Sequence, residues 1–227
     1  MASRIPEKEG ILLVHKPSGM TSHDVVDEVR RALRMRRVGH AGTLDPLAEG
    51  LLVILVGRAT KLFSRFVGFD KEYIGKLKLG EVTTTGDSEG EVVRREKYDT
   101  VGSEEVNSVC ARFRGELEQV PPMVSALRVK GKRLYRLARK GVTVRRQPRK
   151  IHIHRMQVRE IDIPYVEFFV HCSKGTYVRK LAEDIGEALG CGAHIVSIRR
   201  LKIGPFSLND AIALDEINES HLRPFSI

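Results

Sequence analysis

The chain has 227 residues, 41% of them hydrophobic and 30% charged, with a net charge of +10, so it is long and apolar enough to build a real core in one large domain or two small ones. No apolar run approaches the roughly 18 residues of a membrane-spanning helix, and "MASRIPEKEG" lacks a signal peptide's hydrophobic stretch, so a cytoplasmic protein is expected. Cys110, Cys172 and Cys191 are odd in number, far apart and without a C-x-x-C pair, which speaks against a disulfide framework or a cysteine-based zinc site.

In chain order, "GILLVHKP" (10–17) reads as a short buried strand stopped by Pro17. A helix follows from about Ser22, capped by Thr21 or Ser22, with Asp24 in its first turn and Val25, Val26, Val29, Ala32 and Leu33 as its apolar stripe. "LLVILV" (51–56) is an uninterrupted β-branched run, the pattern of a central strand covered on both faces. A short helix over about 58–67 leads to "EYIGKLKLG" (72–80), which alternates as a strand does. "TTGDSEGEVVRRE" is a hairpin-like turn into another strand. "SEEVNSVCARFRG" (103–115) predicts a capped amphipathic helix ended by Gly115, and "KGKRLYRLARKG" (130–141) a short basic helix or an extended arm. "RKIHIHRMQVREI" and "YVEFFVHCSKG" predict paired strands. "TYVRKLAEDIGEALG" (176–190) predicts a helix that Thr176 can cap and Gly190 closes, and "AHIVSIRRLKIG" a last long strand. Irregular alternation with hairpin-length turns predicts an α+β fold with a mixed, mostly antiparallel central sheet flanked by helices. With no repeat and no linker-like stretch, a single domain over 1–227 is the simpler count.

The charge is unevenly placed. From Gln119 to Arg159 there are thirteen Lys or Arg and no Asp or Glu, so this segment carries +13 and the rest of the chain −3. A solvated face normally mixes signs, and forty-one residues without one acid point to a polyanion. Nucleic acid fits better than a membrane, because the segment lacks a sustained amphipathic lysine helix with bulky apolar anchors. Its candidate RNA contacts are Arg128, Lys130, Lys132, Arg133, Arg136, Arg139, Lys140, Arg145, Arg146, Arg149 and Lys150.

"GHAGTLDPLAEGLLVILVG" (39–57) sets Asp45 among Leu44, Pro46 and Leu47. Pro46 biases Asp45 toward extended backbone, and the loop runs directly into the apolar strand 51–56. A carboxylate in such company is costly unless a cation meets it. Against this stands the plainer reading of a loop Asp that caps a turn. "HCSKGTYVRK" (171–180) offers a cation in Arg179, otherwise one of many surface arginines. Tyr73 and Tyr177, two of five tyrosines, are either strand filler or stacking platforms for a base. "HIH" (152–154) puts two imidazoles on one strand face without a third ligand, and "DSEGE" (87–91) is too short for a calcium loop and reads as a turn. No Walker or dinucleotide fingerprint is present, so neither a nucleotide cofactor nor a metal is expected.

"GHAGTLDPLAEGLL", "KGKRLYRLARKG", "CSKGTYVRKL" and "GCGAHIVSIRRL", in this order, resemble the bacterial TruB-type tRNA pseudouridine synthases over about residues 10–214. The resemblance implies a pseudouridine-synthase-like catalytic domain that isomerises uridine 55 in the T-loop of tRNA, without a cofactor. It implies that Asp45 does covalent work at the sugar or base, that Tyr73 packs against the target base as a catalytic residue and a candidate base, that Arg179 pairs with Asp45, and that Tyr177 and Ile198 line the uracil pocket. His40 matches the histidine that fills the space left by the flipped base, and Lys16 with Pro17 a structural "KP" motif. The segment 119–159 looks like the family's RNA-gripping insertion. The small C-terminal RNA-binding, PUA-like domain of the family is expected to be absent from this chain, which is expected to act as a monomer on the T-arm with neither a membrane nor a protein partner. Two other readings use the same residues. A non-catalytic RNA-binding or chaperone module would need only the basic segment, and a metal-assisted RNA hydrolase would use Asp45, Asp87 and His152.

Overall fold

The computed structural model describes residues 8–125, 127–129 and 131–226. Lys130 lies outside them, and of Arg128 only the backbone is described. In chain order the elements are β1 (Gly10–Lys16), α1 (Ser22–Leu33), β2 (Val38–Ala41), β3 (Glu49–Val56), α2 (Phe63–Val67), β4 (Lys71–Leu79), β5 (Glu81–Thr83), β6 (Val92–Arg95) and α3 (Ser103–Arg112). They continue with β7 (Gly115–Gln119), β8 (Arg128–Val129), β9 (Lys132–Arg133), α4 (Leu134–Ala138), β10 (Arg149–Asp162), β11 (Tyr165–Cys172), α5 (Val178–Ala188), β12 (Ala193–Ile203) and β13 (Phe206–Ser207). Two compact units result, the described residues of Met1–Lys71 with Arg199–Ile227, and Glu72–Ile198. No helix among the described residues is long and apolar enough to cross a membrane.

The first unit is organised by β3. Leu52, Ile54 and Val56 face one apolar cluster, with Leu12 and Val14 of β1 and Val25, Val26, Val29 and Leu33 of α1. Leu51, Val53 and Leu55 face a second, with Ile11, Leu13, Leu62 and Phe66. A strand covered on both faces needs apolar residues at every position, which is why 51–56 does not alternate. β1 pairs antiparallel along β3, from Gly10 opposite Val56 to Lys16 opposite Gly50. β2 pairs antiparallel with residues 53–56 of β3, and β12 runs parallel to it at Glu49 and Gly50. Helix α1 begins where the sequence puts it: Thr21 and Asp24 close a reciprocal capping box, which stabilises a helix start by about 1 kcal/mol.

In the second unit β12, β4, β11, β10 and β7 are neighbours in that order. β10 is antiparallel to both β11 and β7. β4 and β11 alternate buried and half-buried residues, the signature of strands packed on one face. Helix α3 buries Val106, Val109 and Cys110, and α5 buries Val178, Leu181, Ala182 and Ile185. The α+β class with a mostly antiparallel sheet is what the sequence predicts.

Two helix ends differ from expectation. Helix α3 stops at Arg112, where the Phe113 N–H donates to the Cys110 carbonyl, and Gly115, at φ 84°, opens β7 instead of closing the helix. Thr176 does not cap α5. Its hydroxyl donates to the Ser173 carbonyl at 3.0 Å, and the N-cap position falls to Tyr177.

Candidate active site

Asp45 stands in the seven-residue connection between β2 and β3, half-buried, and the connection is held from several sides. Lys16, at the end of β1 and fully buried, points its ammonium at main-chain carbonyls: Pro17 at 2.8 Å, Met20, and Pro46 at 3.3 Å. Ser22, the first residue of α1, both accepts from the Leu44 N–H at 2.8 Å and donates to the Leu44 carbonyl at 3.0 Å. The Gly19 N–H donates to the Pro46 carbonyl, the Ser18 hydroxyl to that of Leu47, and the Ala48 N–H to that of Asp45 itself. The buried Arg200 of β12 donates to Gly42, Thr43 and Leu51. Buried cations are tolerable when their hydrogen-bonding capacity is met, and here carbonyl dipoles meet it. The carboxylate therefore projects from a main chain with little freedom to move. Thus the structural part that the resemblance gives to Lys16 has a physical content, namely a hold on Pro46 next to Asp45. His40 lies on β2 opposite Ile54, five residues before Asp45 and half-buried.

Arg179 belongs to the second unit. It is the second residue of α5 and only 3% exposed. Its guanidinium donates to the Thr85 carbonyl at 2.8 Å, to the Val124 carbonyl at 2.6 Å and to the Asp87 carboxylate at 3.2 Å. Asp87, 3% exposed, also accepts from the Thr85 hydroxyl and the Glu89 N–H. The sequence "DSEGE" does form a turn, but its first residue is the buried partner of Arg179, a role sequence reasoning missed. The available signal was faint, an acid behind three threonines and a glycine. Tyr177, just before Arg179, is fixed by Gln119: its N–H donates to the Gln119 amide oxygen at 2.8 Å, and the Gln119 amide donates back to its carbonyl at 3.2 Å. Tyr73 is buried on β4, and Ile198 is buried on β12. The structure thus gathers Arg179, Asp87, Thr85 and the Val124 carbonyl into one network and sets Tyr177 beside it. His40 and Asp45 belong to the first unit.

The basic segment is differently built. β8 and β9 pair as a small hairpin that leads into α4, where Leu134 is buried while Lys132, Arg133, Arg136, Arg139 and Lys140 are exposed. Tyr135 lies under the guanidinium of Arg139, 5.6 Å from the ring centre, and accepts hydrogen bonds from Arg136 and Arg133. The bond from Arg136 is the main cause holding its hydroxyl below the usual tyrosine range. Lys132, Arg133, Arg136 and Lys140, with Gly131, Leu137 and Val142, line a cavity of about 660 Å³. Arg145 is exposed and Arg146 half-buried, and Arg149 and Lys150 open β10, both exposed. Farther along β10, the rings of His152 and His154 lie 4.6 Å apart on one face as the alternation predicts, and His171 of β11 joins at 4.6 Å from His154.

Two family models match the chain: TruB family pseudouridylate synthase, N-terminal domain, over residues 30–178, and tRNA pseudouridylate synthase B C-terminal domain, over residues 179–223. Among similar proteins, tRNA pseudouridine synthase B of Clostridium tetani is 47% identical over 218 residues, 96% of this chain and 75% of that protein. Its namesake in Opitutus terrae is 46% identical over 93% of this chain and 88% of its own length. Among solved structures, a crystal structure of a Cbf5-Nop10-Gar1 complex superposes with a TM-score of 0.73 at 30% identity, covering 92% of this chain and 53% of that one.

Proposed function

We propose, for a chain that belongs to the TruB family of pseudouridylate synthases, that its reaction is the isomerisation of uridine 55 in the T-loop of tRNA. The observation that carries the reading is the main-chain clamp around Asp45, in a family whose relatives bear the name tRNA pseudouridine synthase B. A carboxylate with reactive work to do gains from being held in advance in its working geometry.

In this reading the target base is first flipped out of the folded RNA, and His40 fills the space that it leaves. Asp45 attacks the nucleotide, and the bond between N1 and the ribose C1′ breaks. The uracil turns, C5 bonds to C1′, the bond to Asp45 is released as a free carboxylate, the C5 proton leaves and N1 ends with a proton, so no redox partner or energy source is consumed. Tyr73 packs against the uracil, Tyr177 and Ile198 line its pocket, and Arg179, held by Asp87, pairs with Asp45. Exclusion of water strengthens that pair and limits capture of a reactive intermediate.

The exposed cations Lys132, Arg133, Arg136, Arg139, Lys140, Arg145, Arg149 and Lys150 grip the T-arm phosphates, and Arg128 and Lys130 belong to the same basic stretch of sequence. We read 119–159 as an RNA-gripping insertion of the catalytic chain, which acts on tRNA as a cytoplasmic monomer. The test is a pair of tRNA transcripts that differ only at position 55. A uridine there should yield one pseudouridine, and a cytidine none. Product of equal yield at another uridine of the cytidine transcript would overturn the assignment to position 55.

A further inference from the structure

We propose that Arg200 is a positioning residue for Asp45: its guanidinium clasps both ends of the loop that presents the carboxylate. The inference rests on the reading of Asp45 as the reacting group. Arg200 is 1% exposed, among the largest fully buried side chains of the protein. Its Nη2 donates to the Gly42 carbonyl at 3.0 Å, its Nη1 to Thr43 at 3.3 Å and its Nε to Leu51 at 2.8 Å. Gly42 and Thr43 lead into Asp45, and Leu51 follows where the chain has entered β3. One planar group thus joins the loop's entrance to its exit.

The main chain of Arg200 is tied to the same place. It stands opposite Gly50 in the parallel register of β12 and β3. A Cβ on Gly50 would come within 2.4 Å of the Arg200 carbonyl oxygen and 2.7 Å of its nitrogen, and Gly50 has a φ of 107°. Only glycine fits this approach, so side chain and backbone of Arg200 hold the foot of the loop together. The side chain of Arg199 next to it turns outward. It is exposed and pairs on the surface with Glu49. Two adjacent arginines thus have separable roles.

Burying a guanidinium is unfavourable compared with an apolar side chain of similar volume. An apolar residue at this position would fill the core equally well, but would leave three carbonyls without this donor. Three acceptors in different directions suit a rigid fork of donors. A lysine ammonium, a single point of charge, cannot reproduce it. The clasp fixes orientation, and its loss should appear in turnover before it appears in RNA binding.

The experiment compares Arg200→Lys and Arg200→Gln with Arg199→Met and Asp45→Asn, at a temperature where circular dichroism shows all of them folded. Single-turnover rate at saturating tRNA and the tRNA Kd are both measured. A displacement of the order of 1 Å costs about 100-fold in rate, so Arg200→Lys should lose rate on that scale and Arg200→Gln more. The Kd of both should stay at the wild-type value, and Arg199→Met should match wild type in both quantities. An Arg200→Lys protein that turns over at the wild-type rate while Asp45→Asn is inactive overturns the inference alone. Rate and binding lost in equal proportion also overturn it, since that marks a merely structural role. An active Asp45→Asn overturns the reading of Asp45 and the clasp with it.

Discussion

Between Gly42 and Ala48 the backbone is held by Lys16, Ser22 and Arg200, with two cations buried for the purpose. Between residues 131 and 150 the cations are exposed apart from the half-buried Arg146, and Leu134 is the one fully buried side chain among the described residues. In the proposed reading both regions serve a polyanionic substrate, but with opposite demands. Chemistry at one atom requires a carboxylate fixed to a fraction of an ångström, and the fold accepts the desolvation of two cations to obtain it. Grip on a phosphate backbone needs only density of charge, because each interaction is long-ranged and replaceable. The difference teaches where a substitution will act: in the first region on rate, in the second on affinity and its salt dependence.

The sharpest way to break this division is at Asp87, which supports Arg179 as the carbonyl clamp supports Asp45. Asp87→Ala removes the buried carboxylate that accepts from the 3%-exposed Arg179, and breaking a buried ion pair from one side costs about 3–5 kcal/mol. A denaturant midpoint and a rate assay should both fall steeply, with Asp87→Asn milder because it keeps a hydrogen-bond acceptor. A stability within about 1 kcal/mol of wild type would mean that Arg179 is held without Asp87.

A smaller effect is expected in the basic region. Reversing charge at Arg145 and Arg146 together should weaken tRNA binding and flatten its dependence on log salt, by roughly 0.9 for each phosphate that the protein no longer neutralises. The single-turnover rate at saturating tRNA should remain. An unchanged salt slope would place the RNA elsewhere on the protein.

The smallest effect lies in the core, where no RNA is involved. Burial pushes the Cys110 thiol up from an ordinary 9.0 to about 11. A folded-state value above the unfolded one means that the neutral thiol's contribution is complete below pH 9.0 and is lost as pH rises toward about 11. Stability of the wild type should therefore fall more steeply between those pH values than that of Cys110→Ala, whereas parallel curves would show that the thiol does not titrate with unfolding.

Local features were the legible ones. The Thr21 cap with Asp24, the doubly covered run 51–56 and the alternation of β4 each depend on residues within one element, and each stands where its pattern puts it. The end of α3 was less so, because Gly115 in a left-handed conformation serves equally to close a helix or to open a strand, and here it opens β7. Thr176 competes for the Ser173 carbonyl instead of capping. What no local pattern reveals is partnership at a distance. Asp87 meets Arg179 across 92 positions and Arg200 reaches Gly42 across 158. In sequence one reads as part of a turn and the other only as a residue of a long strand. Their burial is a property of the fold and is invisible in either segment alone.

The most direct test of the central claim, that Asp45 is held for chemistry and the basic segment for grip, is tritium release from tRNA carrying [5-³H]uridine, with tRNA binding measured in parallel. Wild type should release tritium, whereas Asp45→Asn should release none while binding tRNA with nearly the wild-type Kd. Release by Asp45→Asn, or its failure to bind in step with its failure to react, would contradict the account.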